Sequence, residues 1–123
     1  MYKPFHLIGM ELNISIFSAA LLNQSTGQTQ TFSGDVVATS KRALKKGEIL
    51  DGEGGATVWG KLIPVKDSLS NETLPIGLAH GIKLNKDIKE DQIITWKDVD
   101  YSSDDPTVSF RRSMEKNFRS SLD

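Results

Sequence analysis

Residues 36–50 read VVATSKRALKKGEIL and residues 81–94 read GIKLNKDIKEDQII, and the two stretches follow one pattern. Each passes from an apolar strand through a basic spot to an aliphatic residue and two charged residues. Gly or Asp, a polar residue and a closing aliphatic pair then follow. In register, Arg42 meets Lys86, Leu44 meets Ile88, Gly47 meets Asp91, Glu48 meets Gln92, Ile49 meets Ile93 and Leu50 meets Ile94. This repetition constrains the fold because an isolated hairpin is at best marginally stable in water, whereas two copies can cover each other's apolar faces. Each copy is expected to form a short strand, a tight turn at KKGE or KEDQ, and a returning strand, with Gly47 and Asp91 tolerating the turn conformation. Leu44, Ile49, Ile88 and Ile93 are expected to be buried together.

The rest of the chain has to be placed around this unit. At 123 residues there is room for one domain, large enough to bury a core without covalent staples. The N-terminal MYKPFHLIGMELNISIFSAALLNQ is apolar on more than one helical face. Glu11 and Asn13 interrupt it and Lys3 is its one basic residue, so neither a membrane span nor a signal peptide is expected. Pro4 suits the first turn of a helix, although alternation over residues 12–16 leaves a strand open. A helix of this kind is expected to be buried on several sides. Residues 23–34 are polar and turn-rich, and β-prone runs lie at 36–38, 57–65, 82–84 and 93–96. In the tail, Asp105 can cap a helix opened by Pro106, with Phe110, Met114 and Phe118 four apart on its packing stripe. The expected organisation is an apolar segment at 1–24, a linker at 25–34, a mainly β domain at 35–101 and a C-terminal helix at 102–123.

Charge and residue types narrow the chemistry. Fifteen basic against sixteen acidic residues disfavour a nucleic-acid partner. The absence of cysteine removes disulfides and thiolate metal sites and fits a reducing, cytoplasmic setting. Two distant histidines do not make a zinc site, and no metal is expected. DGEGG at 51–55 places Asp51 and Glu53 where a phosphate would sit, so its glycines are read as permitting positive φ in a reversing loop. No catalytic residue is assigned. The candidate ligand contacts are Trp59 and Lys61 in VWGKL, which could hold a sugar or an anion, His80 in LPIGLAHG, and Lys41 and Lys86 from matching basic clusters that could form one rim, the alternative expectation being a free-standing module for an anionic or sugar-acid ligand. For each the ordinary alternative stands beside it: a core tryptophan, a turn histidine, a solvated lysine.

KRALKKGEIL and NKDIKEDQIITWKDV resemble the two half-motifs of an SAF domain, the small β-clip fold of the antifreeze-like domain of sialic acid synthases, of flagellar P-ring chaperones and of altronate dehydratases. With YKPFHLIGMEL, LDGEGGATVWGKL and LPIGLAHG, nearly the whole chain resembles the C-terminal part of homoserine-dehydrogenase-like NAD(P)-dependent oxidoreductases that end in an SAF domain. The sequence departs from the half-motif at Ala43, where Asp is usual. The resemblance implies an SAF-type β-clip, a first segment that packs on a larger catalytic region near His6, and NAD(P) as a cofactor of the parent enzyme only. No G-x-G-x-x-G is present for this chain to hold it, which fits a C-terminal portion or the product of a split gene. Expected partners are a separate oxidoreductase domain or a second copy, joined through residues 5–22 around Leu12, Ile16 and Phe17.

Overall fold

A computed structural model describes residues 7–119; Pro4 and His6 lie outside them. The chain divides into two compact units after Thr31.

The first unit is built on helix α1, Ile8–Leu22. Asn23 ends it in the left-handed conformation, and the Ser18 hydroxyl donates to the Gln24 carbonyl at 2.9 Å. Buried positions were expected along this helix, yet it has none. Its apolar residues face opposite ways, so it has no single side on which one neighbour could collect them.

In the second unit follow β1 (Gly34–Ser40), β2 (Ile49–Asp51), β3 (Val58–Pro64), α2 (Val65–Asn71), β4 (His80–Leu84), β5 (Val99–Asp100) and α3 (Pro106–Arg119). Strands β1 and β3 pair antiparallel, and β2, β4 and β5 form a second small sheet with β4 central. The architecture is mixed rather than mainly β, because helix takes 37% of the described residues and strand 27%.

The two copies of the repeat do not form the expected pair of hairpins. After each turn the chain pairs with the other copy's strand: Ile49 opposite Lys83, and Ile93 opposite Thr39. The hydrogen bonds are reciprocal. Leu44 N–H donates to the Ile88 carbonyl and Ile88 N–H to that of Leu44, both at 2.9 Å. Gly47 N–H reaches the Leu84 carbonyl at 2.8 Å, and its counterpart Asp91 N–H reaches that of Ser40 at 3.1 Å. The cause is the aliphatic residue inside each connection. Leu44 and Ile88 must enter the core, so residues 41–48 and 85–92 swing wide, and the strand available on return belongs to the other copy. Gly47 and Asp91 hold positive φ, 88° and 57°, as their turns require.

Burial also corrects the choice of aliphatics. Leu44 and Ile88 are buried, but Ile49 is 60% exposed and Ile93 only half-buried; Leu50 and Ile94, one residue on, fill the core. Successive strand side chains alternate, so only one of each closing pair can face inward. Around them pack Val58, Leu74, Leu84, Trp96, Val99 and Val108.

Asp105 caps α3 through Oδ1, which accepts from Thr107 N–H at 2.8 Å and Val108 N–H at 3.2 Å. The helix docks by only part of the expected stripe, since Phe110 stays outside. Phe110 is 76% exposed, and the buried positions are Val108 and Glu115. Met114 and Phe118 of the expected stripe are half-buried, and a polar network stands beside them. The Arg111 guanidinium donates two bonds to the buried Asp35 carboxylate, at 3.3 and 2.5 Å, and Nε donates to Glu115 at 2.7 Å. Asp35 also accepts from the buried Ser68 hydroxyl at 2.5 Å. Arg111 lies over the Phe32 ring at 5.2 Å, and Phe32 meets Phe118 edge-on at 5.5 Å.

Candidate functional site

Strand β1 runs with β3 along one edge and with residues 74–75 and 92–94 along the other, so its middle is covered. Directly opposed residues of an antiparallel pair share a face. Val37 opposes Lys61, and Thr39 opposes both Trp59 and Ile93, which puts these side chains on one face of the sheet. At the far end of that face Asp35 is taken up by Arg111 and Ser68.

Pro64 turns the chain into α2, whose Asp67 and Asn71 are four apart and face the same side. Thr73 and Thr95 pair in an isolated antiparallel bridge across from them. Lys61, Ile63, Asp67, Asn71, Thr73, Asp91, Gln92, Ile93 and Thr95 thus surround a groove of about 640 Å³. Part of its polar lining is engaged within the chain: the Thr73 hydroxyl meets Ser68 Oγ at 2.6 Å, and the Thr95 side chain accepts from Asp98 N–H. Lys61, Asp67 and Asp91 have no ion-pair partner among the described residues. Gln92 Oε1 accepts from Lys89 N–H at 3.1 Å, and Asn71 donates to the Asp67 carbonyl at 2.8 Å. Thr39 is buried on the sheet face between Trp59 and Ile93, and its hydroxyl has no hydrogen-bond partner among the described residues.

Of the five residues singled out in the sequence, Lys61 lines this groove, and Trp59 stands half-exposed two residues along the same strand face, outside the lining. The other three lie elsewhere. Lys41 Nζ donates to the Gly55 carbonyl at 2.5 Å. Lys86 Nζ sits 2.5 Å from Oδ1 of Asp98, a carboxylate buried by the Thr95–Asp98 capping turn. His80 lines a separate cleft of about 340 Å³ with Ile82, Asp100, Tyr101 and Thr107. Its Nδ1 is 3.1 Å from the Asp51 carbonyl, an acceptor, so Nδ1 carries the proton there. The matching basic clusters do not form one free rim either. Arg42 pairs with Glu48 and Lys45 with Asp87. Asp87 also accepts from Lys46 N–H at 2.8 Å, a contact that Ala43, its counterpart, cannot return. The residues sequence reasoning missed are Thr39, Asn71, Gln92 and Thr95. The one signal was a threonine inside the otherwise small and apolar run VVATS.

The 51–55 loop closes on Asp51. Its carboxylate accepts from the Thr57 hydroxyl, from Ala56 N–H at 2.6 Å and from Thr57 N–H at 3.0 Å. Gly52 and Gly54 hold positive φ, and a side chain at Gly55 would run into the carboxylate. These donors, the Thr57 hydroxyl first, lower the Asp51 pKa to about 2. Because the folded value lies below the unfolded one of about 3.9, the contribution is present above the unfolded value and disappears as pH falls through about 2. A carbon-detected NMR titration is expected to show Asp51 ionising near 2, and Thr57→Val is expected to raise that midpoint. An ordinary midpoint in the unsubstituted protein would show that the loop does not close on this carboxylate.

Among the described residues no helix is long and apolar enough to cross a membrane, and no group of three or more His, Cys, Asp or Glu could hold a metal ion. No protein-family model matches the chain, and no curated protein matches it at a significant level.

Proposed function

We propose that this chain is an SAF-type β-clip domain, a non-catalytic accessory part of a cytoplasmic NAD(P)-dependent, homoserine-dehydrogenase-like oxidoreductase, with a structural, oligomerisation or substrate-channel role. The observation that carries the reading is the crosswise hydrogen bonding of the two half-motifs, in which each copy clasps the other. Helix α1 adds support. Met10, Ile14, Phe17 and Leu21 follow heptad spacing along one side, and Ile8, Leu12 and Ile16 run four apart along another. A helix with two apolar sides needs cover on both. In the parent enzyme the catalytic region supplies that cover; in this chain alone a second copy does, through Leu12, Ile16 and Phe17. NAD(P) belongs to the parent's catalytic region.

Light scattering on the chain is expected to show an oligomer, and the double substitution Leu12→Asp, Ile16→Asp is expected to leave a folded monomer. Nicotinamide fluorescence is expected to show no saturable NAD(P)H binding. A monomeric unsubstituted chain, or saturation at micromolar NADPH, would overturn the reading.

The groove beneath β3 favours a second reading, a small-ligand-binding module that works free-standing. Its volume falls in the range of small-molecule sites, about 300–1,000 Å³, and Lys61, Asp67 and Asp91 in its walls have no ion-pair partner among the described residues.

A further inference from the structure

Resting on that second reading, we infer that the groove between β3, α2 and residues 91–95 binds a neutral carbohydrate, and that it disfavours sugar acids and phosphorylated sugars. The first observation is the set of groups. Asn71, Gln92, Asp67 and Asp91 are planar side chains with paired donor or acceptor atoms, whereas the Thr73 and Thr95 hydroxyls are already engaged within the chain. Adjacent hydroxyls of a sugar ring present a donor and an acceptor at the spacing that planar amides and carboxylates accept in pairs. Ile63 and Ile93 supply apolar contact for the ring's C–H faces, and the half-exposed Trp59 offers a flat face beside Lys61.

The second observation is Thr39. Buried hydroxyls nearly always have a partner, and one that lacks it calls for an explanation. Thr39 lies on the sheet face that the groove occupies, flanked by Ile93 and Trp59. Thr39 itself is 1% exposed and is not in the groove's lining, so it borders the site through Ile93 rather than contacting a ligand. Apolar ligands would leave the surrounding polar groups stripped of water and unpaired.

Charge selects within the class. One cation, Lys61, faces two carboxylates, Asp67 and Asp91, so the groove carries net negative charge. A sugar acid gains one favourable contact and meets two repulsive ones, and a phosphate fares worse. Lys61 remains useful as a hydroxyl donor.

The test is an amide and indole NMR titration of the full chain with D-glucose, D-galactose, D-glucuronate and inorganic phosphate. A neutral sugar is expected to shift Thr39, Lys61, Asn71, Gln92, Thr95 and the Trp59 indole, with a dissociation constant on the order of 1 mM. Glucuronate is expected to bind about tenfold more weakly. Trp59→Ala and Asn71→Ala are each expected to weaken the sugar about tenfold while leaving the amide spectrum dispersed, and His80→Ala, in the other cleft, is expected to change nothing. Shifts at the groove with glucuronate or phosphate but with neither neutral sugar overturn the carbohydrate assignment and keep the ligand-binding reading. No groove shift with any of the four overturns both. Sugar shifts centred on His80, Asp100 and Tyr101 overturn the assignment of the site.

Discussion

Arg111→Ala is expected to lower the unfolding free energy of residues 32–119 by about 3–5 kcal/mol, the cost of leaving buried charges without their partner. A domain of this size has about 5–15 kcal/mol in total, so the variant should sit near the edge of folding at room temperature. Water scarcely reaches two carboxylates here, Asp35 at 6% and Glu115 at 5% exposure. Each owes its charge balance largely to one guanidinium, whose side chain is 14% exposed. Asp35 also holds Ser68 of α2, which in turn meets Thr73 at 2.6 Å, so the loss spreads from α3 into the second helix. Arg112 leaves Glu115 a second partner at 2.9 Å; Asp35 has no second cation among the described residues. Arg111→Lys should fall between, since an ammonium keeps the charge but cannot fork onto Asp35 while also reaching Glu115. Urea unfolding followed by tryptophan fluorescence measures this, because Trp96 is buried beneath Arg112 at 5.0 Å. A loss below about 1 kcal/mol would show that α3 docks by its apolar contacts after all.

Leu44→Ala and Ile88→Ala are each expected to cost about 2–5 kcal/mol, the range for removing a buried aliphatic and leaving a cavity. Both side chains are 2% exposed or less, and their backbones hold each other through the paired 2.9 Å bonds at the centre of the interlock. Because the two residues meet, the double substitution should not be additive. Ile49→Ala supplies the contrast: at 60% exposure it should move stability by no more than about 0.5 kcal/mol. A neutral Leu44→Ala, or an Ile49→Ala as costly as Ile88→Ala, would mean that the copies do not clasp as described.

What was legible in the sequence was short-range. The repeat, the turn glycine at Gly47 with its partner Asp91, the reversing glycines Gly52 and Gly54 and the Asp105 cap all follow from what a few neighbouring residues permit. Such preferences are set by steric limits on φ and by side chains reaching their own backbone, so they can be read locally. The same local view misjudged Ile49 and Phe110. Alternation and four-residue spacing mark an apolar face but do not say which neighbour will cover it.

Only the tertiary structure decided the rest. Whether residues 49–51 return to their own strand or to the other copy's depends on which pairing lets Leu44 and Ile88 into the core. That comparison is between whole arrangements of the chain. Arg111 found Asp35 across 76 positions of sequence, and no pattern in RRSMEK or SGDVVA distinguishes that pair from solvated charges. Trp59 and Lys61 were visible as neighbours from the start. Asn71 and Gln92 joined Lys61 because β1 became the covered middle strand, with β3 leading into α2 on one side and residues 92–94 paired along its other edge. The residues of such a groove come from separate elements, and water loses its access to Thr39 only when those elements pack.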